Sequence, residues 1–119
     1  LLRGQALVRV LVCGSREATE LEPVIAAMRA LQIRPGDVVI HGACRGVDRL
    51  ADEAARQLGA DVEPYPADWS KGPGAGPARN ARMLALGRPA YVIAFPGGRG
   101  TADMVRKAEA LGIPVRRVS

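Results

Sequence analysis

Five short runs of apolar residues alternate along the chain with longer segments in which apolar positions recur at a helical period. The runs are VRVLVC, DVVIH, DVEPY, YVIAF and IPVRRV, at residues 8–13, 37–41, 61–65, 91–95 and 113–118. Continuous apolar runs of this length predict buried strands. The third run is the weakest, because a strand tolerates its Pro64 only at a sheet edge or at a strand end.

The segments between these runs predict four helices, at residues 17–31, 47–58, 75–86 and 101–111. In the second of them Val47, Ala51, Ala54 and Leu58 fall on one stripe and charged residues on the other. Strict alternation of strand and helix predicts one α/β domain across residues 1–119, with a doubly wound, Rossmann-like parallel sheet. The expected strand order is 3-2-1-4-5, with helices on both faces and a ligand site where the winding reverses, between strands one and four.

Composition narrows the class of protein further. The chain has 119 residues, of which 48% are hydrophobic, enough for a core of its own. No run approaches the roughly 18 apolar residues of a membrane helix, and the opening LLRGQAL is too short for a secretory signal. We therefore expect a soluble, cytoplasmic protein with no membrane partner.

Arginine dominates the basic residues, and only two cysteines occur. The formal net charge is +5, with fifteen Arg against two Lys, which indicates either phosphate recognition or a base-composition bias of the encoding genome. Cys13 and Cys44 are too few for a disulfide framework and lack metal-ligand spacing. They end neighbouring strands, where small-residue packing is favoured over a redox or metal pair, so neither a metal nor a cofactor is expected.

Glycine-rich segments follow three of the predicted strands: CGSR, HGACRGVD and FPGGRGT. Because the carboxyl ends of parallel strands share one edge, these segments should meet there, and glycines let backbone N–H groups approach a phosphate beside a helix N-terminus. Thr101 is a candidate N-cap, and Ser15 a hydroxyl donor or a cap of the first helix. The alternative is that each glycine serves turn geometry alone. The candidate ligand-binding residues are Gly14, Ser15, Arg16, Gly42, Gly46, Gly97, Gly98, Arg99, Gly100 and Thr101. Neither a dinucleotide fingerprint nor a Walker lysine is present.

The connection after the third strand, residues 64–80, is long for an α/β protein. Its Trp69 is the only tryptophan, and it suits either a nucleobase or a packing role that holds the loop down. Arg79 and Asn80 follow on the first turns of the third helix. An arginine there opposes the helix dipole, so a phosphate is the predicted partner of Arg79.

Several charged residues at this edge have ordinary explanations as well. Asp48 and Asp103 in early helical turns stabilise the helix dipole, or act as catalytic carboxylates. A structural, hydrogen-bonded role is favoured for His41. Arg16, Arg45 and Arg99 are candidates for phosphate contact or for solvated surface positions.

As an ordered set, these motifs resemble the SLOG superfamily, the Rossmann-like group that contains the DNA-processing Smf proteins and the "lonely guy" phosphoribohydrolases. The similarity is greatest to its small YspA/YpsA-related branch. It covers almost the whole chain, from VLVCGSR through HGACRGVDRLA, PADW, AGPARNARML and FPGGRGTADMV to GIPV. The resemblance implies a nucleotide pocket at the sheet edge, with Gly14, Ser15, Gly42, Gly46, Asp48, Arg79, Asn80, Gly97, Gly98, Gly100 and Thr101 at matching positions.

The resemblance also implies three alternative functions. A sensor or sequestering module for a nucleotide needs no catalytic carboxylate and is preferred. A nucleoside-monophosphate N-glycosidase would need one, and where the phosphoribohydrolases have a glutamate this chain has Met104, which leaves Asp103 or Asp48 as substitutes. Binding of single-stranded DNA fits the positive charge, but the aromatic content is only 3%. The superfamily further implies a homodimer or larger homo-oligomer.

Overall fold

A computed structural model describes residues 6–119, and residues 1–5, the first part of LLRGQAL, lie outside the described residues. The strands are β1 (Arg9–Cys13), β2 (Val38–His41), β3 (Asp61–Pro64), β4 (Tyr91–Ala94) and β5 (Val115–Arg117). The helices are α1 (Leu21–Ala30), α2 (Val47–Gln57), α3 (Ala75–Gly87) and α4 (Arg99–Ala110). A single 3₁₀ turn, Trp69–Lys71, interrupts the connection from β3 to α3.

The five strands form one parallel sheet in the order β3-β2-β1-β4-β5, which confirms the predicted Rossmann-like α/β fold. The central strand is β1, whose Leu11 pairs with Ile40 of β2 on one side and with Val92 of β4 on the other. The order of winding reverses between β1 and β4, so the crevice outside their carboxyl ends is where such folds bind ligands.

Side chains of β1 alternate between two cores, one on each face of the sheet. Val10 and Val12 join the core formed with α1 and α2, whereas Leu11 and Cys13 join the core formed with α3 and α4. Burial on both faces is the physical reason that β1 is continuously apolar instead of alternating with polar residues. β3 is an edge strand, and Pro64 is its last residue, as the prolyl constraint predicts.

Two helices begin at positions other than those predicted. α1 begins at Leu21 instead of Glu17, and the Ser15 hydroxyl accepts a hydrogen bond from the Glu17 N–H, 2.9 Å away, so it does not cap α1. α4 begins two residues early, at Arg99, with Gly98 as its N-cap. The predicted N-cap role of Thr101 is therefore wrong, since Thr101 is the third residue of the helix.

None of the helices within residues 6–119 is long and apolar enough to cross a membrane.

Candidate functional site

A cleft of about 470 Å³ opens between the carboxyl end of β1 and the amino end of α4, at the point where the winding reverses. We call it the outer cleft, and it is lined by Gly14, Ser15, Arg16, Glu17, Gly98, Arg99, Gly100 and Thr101. Two glycine-rich segments that are distant in the sequence thus form its two walls.

Backbone hydrogen bonds hold the three glycine-rich loops together. The Ser15 N–H donates to the Pro96 carbonyl at 2.9 Å, and the Val47 N–H donates to the Ser15 carbonyl at 3.0 Å. Gly46 has a φ of +78°, and a Cβ there would overlap the Ser15 carbonyl. Glycine at position 46 is therefore required by the fold itself, and Gly46 supports the cleft without lining it.

The amino end of α4 presents backbone N–H groups to the outer cleft. Its N-cap, Gly98, provides no side-chain hydrogen bond to the first turn of the helix. A Cβ at Gly97 would overlap the Thr101 hydroxyl, whereas a Cβ at Gly98 or Gly100 would meet nothing within 4 Å among residues 6–119. Packing thus requires glycine at position 97, whereas no neighbour within residues 6–119 requires glycine at position 98 or 100.

A smaller inner cavity of about 50 Å³ continues from the outer cleft, with which it shares Gly14, Arg16, Gly100 and Thr101. Its remaining walls are Cys13, Cys44, Asp48, Arg79, Asn80, Met83 and Met104. A volume of this size holds one or two water molecules or a single substituent of a ligand.

Arg79 lies at the wall of the inner cavity with only 6% of its surface exposed. Its Nη1 donates to the carbonyls of Gly42 and Tyr65, and its Nε donates to the Asn80 side chain at 3.0 Å. These bonds account for a buried arginine on an early helical turn, so the phosphate partner inferred from the helix dipole is not needed to explain its position. Nη2 makes no hydrogen bond within residues 6–119.

Asp48 is 8% exposed and faces the same cavity from the first turn of α2, as predicted. Its Oδ2 accepts hydrogen bonds from the N–H groups of Gly42, at 3.1 Å, and Cys44, at 3.2 Å. Oδ1 has no hydrogen-bond partner in the described part of the chain. Burial raises the pKa of the Asp48 carboxyl, although the Cys44 N–H and the charge of Arg79 act in the opposite direction.

Asp103 lies behind Asn80 and does not line the inner cavity. As the fifth residue of α4 it is beyond the first turn in which it was predicted. Its Oδ2 accepts from Asn80 Nδ2 at 3.0 Å and from Lys107 at 2.8 Å, and its Oδ1 from Arg106 at 2.8 Å. Burial acts to raise the pKa of the Asp103 carboxyl, but the bonds from Lys107 and Asn80 and the charges of Lys107 and Arg106 hold it below its ordinary value. Both carboxylate oxygens of Asp103 are thus engaged, one of them by Asn80 and Lys107 and the other by Arg106.

Trp69 lies beside the mouth of the cleft, 48% exposed, and contacts two other segments. The Arg16 guanidinium lies over its ring, 4.9 Å from the centroid, and a Cβ at Gly76 would come within 2.9 Å of the ring edge. The Trp69 ring therefore packs on the start of α3, and Arg16 covers one of its faces. This packing role of Trp69 is compatible with a contact between the ring and a ligand.

His41 is buried, and its Nδ1 accepts a hydrogen bond from the Ala43 N–H at 3.0 Å. Its Nε2 therefore donates to Asp52 at 2.7 Å, which is the structural role expected.

Cys13 is buried, and that burial, with the Asp48 charge, raises the pKa of its thiol to about 12. Both thiols line the inner cavity, which the sequence analysis had not assigned to them. No group of three or more metal-ligating side chains occurs within residues 6–119.

The structure brings most of the candidate residues into two adjoining spaces and leaves a few outside them. Gly42, Gly46, Gly97 and Asp103 support the walls, Trp69 flanks the mouth, and Arg45 pairs with Glu17 at 2.8 Å. Glu17, Met83 and the cavity-lining role of Met104 were not predicted from the sequence. Met83 and Met104 lie on the apolar stripes of their helices, a pattern that indicates burial but not a cavity.

The sheet order β3-β2-β1-β4-β5 defines a Rossmann-like α/β protein. Where the winding reverses, no side chain of the described residues caps the N-terminus of α4, so the crevice there suits an anion. Residues 8–72 match the model of the YspA, cpYpsA-related SLOG family. The Gene 61 protein of Mycobacterium phage D29 is 42% identical in an alignment 117 residues long, and the match covers 90% of this chain and 93% of that protein. The chain belongs to the YspA, cpYpsA-related SLOG family.

Two solved structures have the same fold. DNA processing protein A (DprA) from Streptococcus pneumoniae superposes with a TM-score of 0.75 at 22% identity, over 95% of this chain but only 50% of that one. The protein TM1055 gives a TM-score of 0.69 at 23% identity, over 92% of this chain and 72% of that chain. Identities this low show the fold alone. Family and fold together fit a role related to nucleotides or nucleic acids.

Proposed function

We propose that this protein binds a nucleotide or a nucleotide-derived ligand in the outer cleft, as a sensor or sequestering module, with a phosphate at the amino end of α4. The observation that carries this proposal is the pair Gly98 and Gly100. Both face open space among the described residues, and Gly100 is the second residue of α4, a helical position at which glycine is less favourable than alanine. Glycine at such a position is expected where a ligand must approach the backbone closely.

Electrostatics at the cleft support an anionic ligand. The first N–H groups of a helix lack intrahelical partners and carry the positive end of the helix dipole. Arg16 and Arg99 line the cleft as well, with Glu17 as the acidic residue of its lining. Ser15 supplies a hydroxyl on the opposite wall.

The experiment is a thermal-shift and calorimetric titration with nucleoside mono-, di- and triphosphates, ADP-ribose, cyclic nucleotides and a short single-stranded DNA. We expect one class of nucleotide to raise the melting temperature. The variant Gly100→Ala should unfold at the same or a higher temperature without ligand and yet lose that shift, because its methyl group narrows the approach to the helix N-terminus.

Two outcomes would contradict the proposal. Stabilisation by the oligonucleotide alone, weakened steeply by salt, would favour single-stranded DNA binding instead. Undiminished nucleotide binding by Gly100→Ala would place the phosphate elsewhere. Gly112→Ala is unsuitable as a control because Gly112 has a φ of +74°, whereas the exposed helical Ala81→Gly tests the general effect of changing glycine content.

A second candidate is N-glycosidic cleavage of a nucleoside monophosphate, and the buried Asp48 carboxyl is the observation that favours it. A carboxyl with a raised pKa beside a ligand cleft suits a general acid. Asp103, engaged by three donors, does not suit that role. Release of free base and ribose 5-phosphate by the wild type but not by Asp48→Asn would support catalysis, and absence of product across purine and pyrimidine monophosphates would reject it for those substrates.

A further inference from the structure

Two buried charged side chains line the inner cavity without forming a direct ion pair. Asp48 and Arg79 are 8% and 6% exposed, and a Cβ built on Gly42 would touch both the Arg79 Nη1 and the Asp48 Oδ2. No nitrogen of Arg79 nevertheless lies within 4.0 Å of an oxygen of Asp48, so the two form no ion pair. Buried charges are ordinarily paired, which makes this separation unusual.

Each side chain retains one atom free for a ligand. Asp48 uses Oδ2 for the two loop N–H groups, and Arg79 uses Nη1 and Nε for backbone carbonyls and Asn80. Within residues 6–119, Asp48 Oδ1 and Arg79 Nη2 have no hydrogen-bond partner. Both atoms are accessible to solvent. In the part of the chain that the structure describes, the only fully buried side-chain nitrogen or oxygen without a hydrogen-bond partner is Tyr91 Oη. These two side chains, Asp48 and Arg79, therefore offer one free acceptor oxygen and one free donor nitrogen.

The size and polarity of this space restrict what enters it. A cavity of about 50 Å³ is too small for a nucleobase, and the Asp48 carboxylate in its wall disfavours a phosphate. A hydroxyl group fits the inner cavity. It is a small substituent that can donate one hydrogen bond and accept others at the same time. Because the inner cavity shares four wall residues with the outer cleft, a hydroxyl in the cavity can belong to the same molecule as a phosphate at α4.

We propose that Asp48 and Arg79 bind a ribose hydroxyl of the ligand, the hydroxyl donating to Asp48 Oδ1 and accepting from Arg79 Nη2, so that the protein selects ribonucleotides over deoxyribonucleotides. This inference rests on the proposed function and specifies its substrate class. Selection follows because the bound ligand excludes water from Asp48 Oδ1 and Arg79 Nη2, so a ligand without the hydroxyl leaves both atoms without a hydrogen-bond partner.

The test compares the affinities of nucleoside 5′-monophosphates with those of their 2′-deoxy and 3′-deoxy forms, by calorimetry on the full chain. Ribose 5-phosphate is included as a probe without a base. We expect one of the two deoxy forms to bind roughly 10-fold or more weakly than the ribonucleotide, as for the loss of a hydrogen bond to a charged group. The identity of that form tells which hydroxyl enters the cavity.

The variant Asp48→Asn keeps an oxygen for the Gly42 and Cys44 N–H groups but replaces the free acceptor with a donor. It should lower affinity for the ribonucleotide to that for the deoxy form while leaving the deoxy affinity unchanged. Glu53→Gln is the matched control, because Glu53 is an exposed carboxylate on the same helix outside the cavity, and it should preserve the wild-type ratio.

Each other outcome has a distinct meaning. Equal affinity of wild type for ribo and deoxy forms would overturn the hydroxyl proposal while the proposed function stands, and this comparison needs no variant to fold. A ratio retained by Asp48→Asn, or an equal loss of both affinities, would also overturn it, since Asp48 would then only support the loop. Failure of every phosphate ester to bind would overturn the proposed function together with this inference.

Discussion

The guanidinium of Arg16 covers one face of the Trp69 ring at 4.9 Å from its centroid, and so joins the loop after β1 to the loop before α3. Arg16 also lines both the outer cleft and the inner cavity. If a bound phosphate attracts the Arg16 guanidinium, that group leaves the Trp69 ring and exposes one of its faces. The ring itself stays in place because it packs on α3.

Fluorescence should report this contact directly, because Trp69 is the only tryptophan in the chain. We expect Arg16→Ala to shift the emission of the unliganded protein to longer wavelength, since removal of the guanidinium exposes the ring face to water. Arg117→Ala, which removes an exposed arginine paired with Glu109 at the β5 edge of the sheet, should leave the spectrum unchanged. An unshifted Arg16→Ala spectrum would show that the contact is not maintained in solution.

Glycine positions at the cleft should divide into two classes in stability measurements. Gly46→Ala should lower the free energy of unfolding by about 2 kcal/mol or more, because its positive φ and the Ser15 carbonyl leave no place for a Cβ. Gly100→Ala should instead raise it by up to about 1 kcal/mol. Urea unfolding of the two variants measures both effects, and a destabilised Gly100→Ala would mean that position 100 is glycine for a structural reason.

Arg79 is expected to stabilise the fold whether or not it contacts a ligand. Arg79→Lys should lower the free energy of unfolding by about 2 to 4 kcal/mol, because one ammonium group cannot reach the Gly42 carbonyl, the Tyr65 carbonyl and Asn80 together. Chemical unfolding measures this loss. Stability equal to that of the wild type would show that these bonds contribute little, and loss of ligand binding in an Arg79 variant is uninformative until its stability is known.

Asp103 should make stability depend on pH below the neutral range. Its native pKa lies below the ordinary value of 3.8, so the unfolded chain takes up the proton first on acidification. Its stabilising contribution is thus complete above the ordinary pKa and is lost as the pH falls through the native pKa. We expect Asp103→Asn to cost about 1 kcal/mol at pH 7 and almost nothing at strongly acidic pH. A difference between variant and wild type that stays constant with pH would contradict this account.

The two thiols should differ in reactivity. Cys13 is buried with a pKa of about 12, whereas Cys44 is partly exposed, so a thiol reagent at pH 8 should modify one cysteine per native chain and two after denaturation. Cys44→Ser should abolish the rapid reaction, and Cys13→Ser should preserve it. Two rapid equivalents in the native protein would show that the inner cavity opens readily.

Much of the architecture was determined by the sequence alone. Apolar runs and glycine stops located the five strands and four α-helices of residues 6–119, because burial on both faces and helical periodicity leave patterns in the local sequence. Strand order followed from the rules for parallel sheets, and Pro64 correctly indicated a strand end at an edge. The glycine-rich loops likewise predicted where the outer cleft lies.

Tertiary structure alone decided what the polar residues do. Arg79 was expected to need a phosphate, yet carbonyls from Gly42 and Tyr65, distant in sequence, already bind it. From the sequence, Asp103 and Asp48 are equivalent candidates for a catalytic carboxylate. In the structure Lys107, Arg106 and Asn80 bind both oxygens of Asp103. Asp48 uses only Oδ2, for two loop N–H groups, and its Oδ1 is free within residues 6–119. Hydrogen-bond partners of a buried polar group come from whichever loops the fold brings together, and no local pattern in the sequence encodes that meeting.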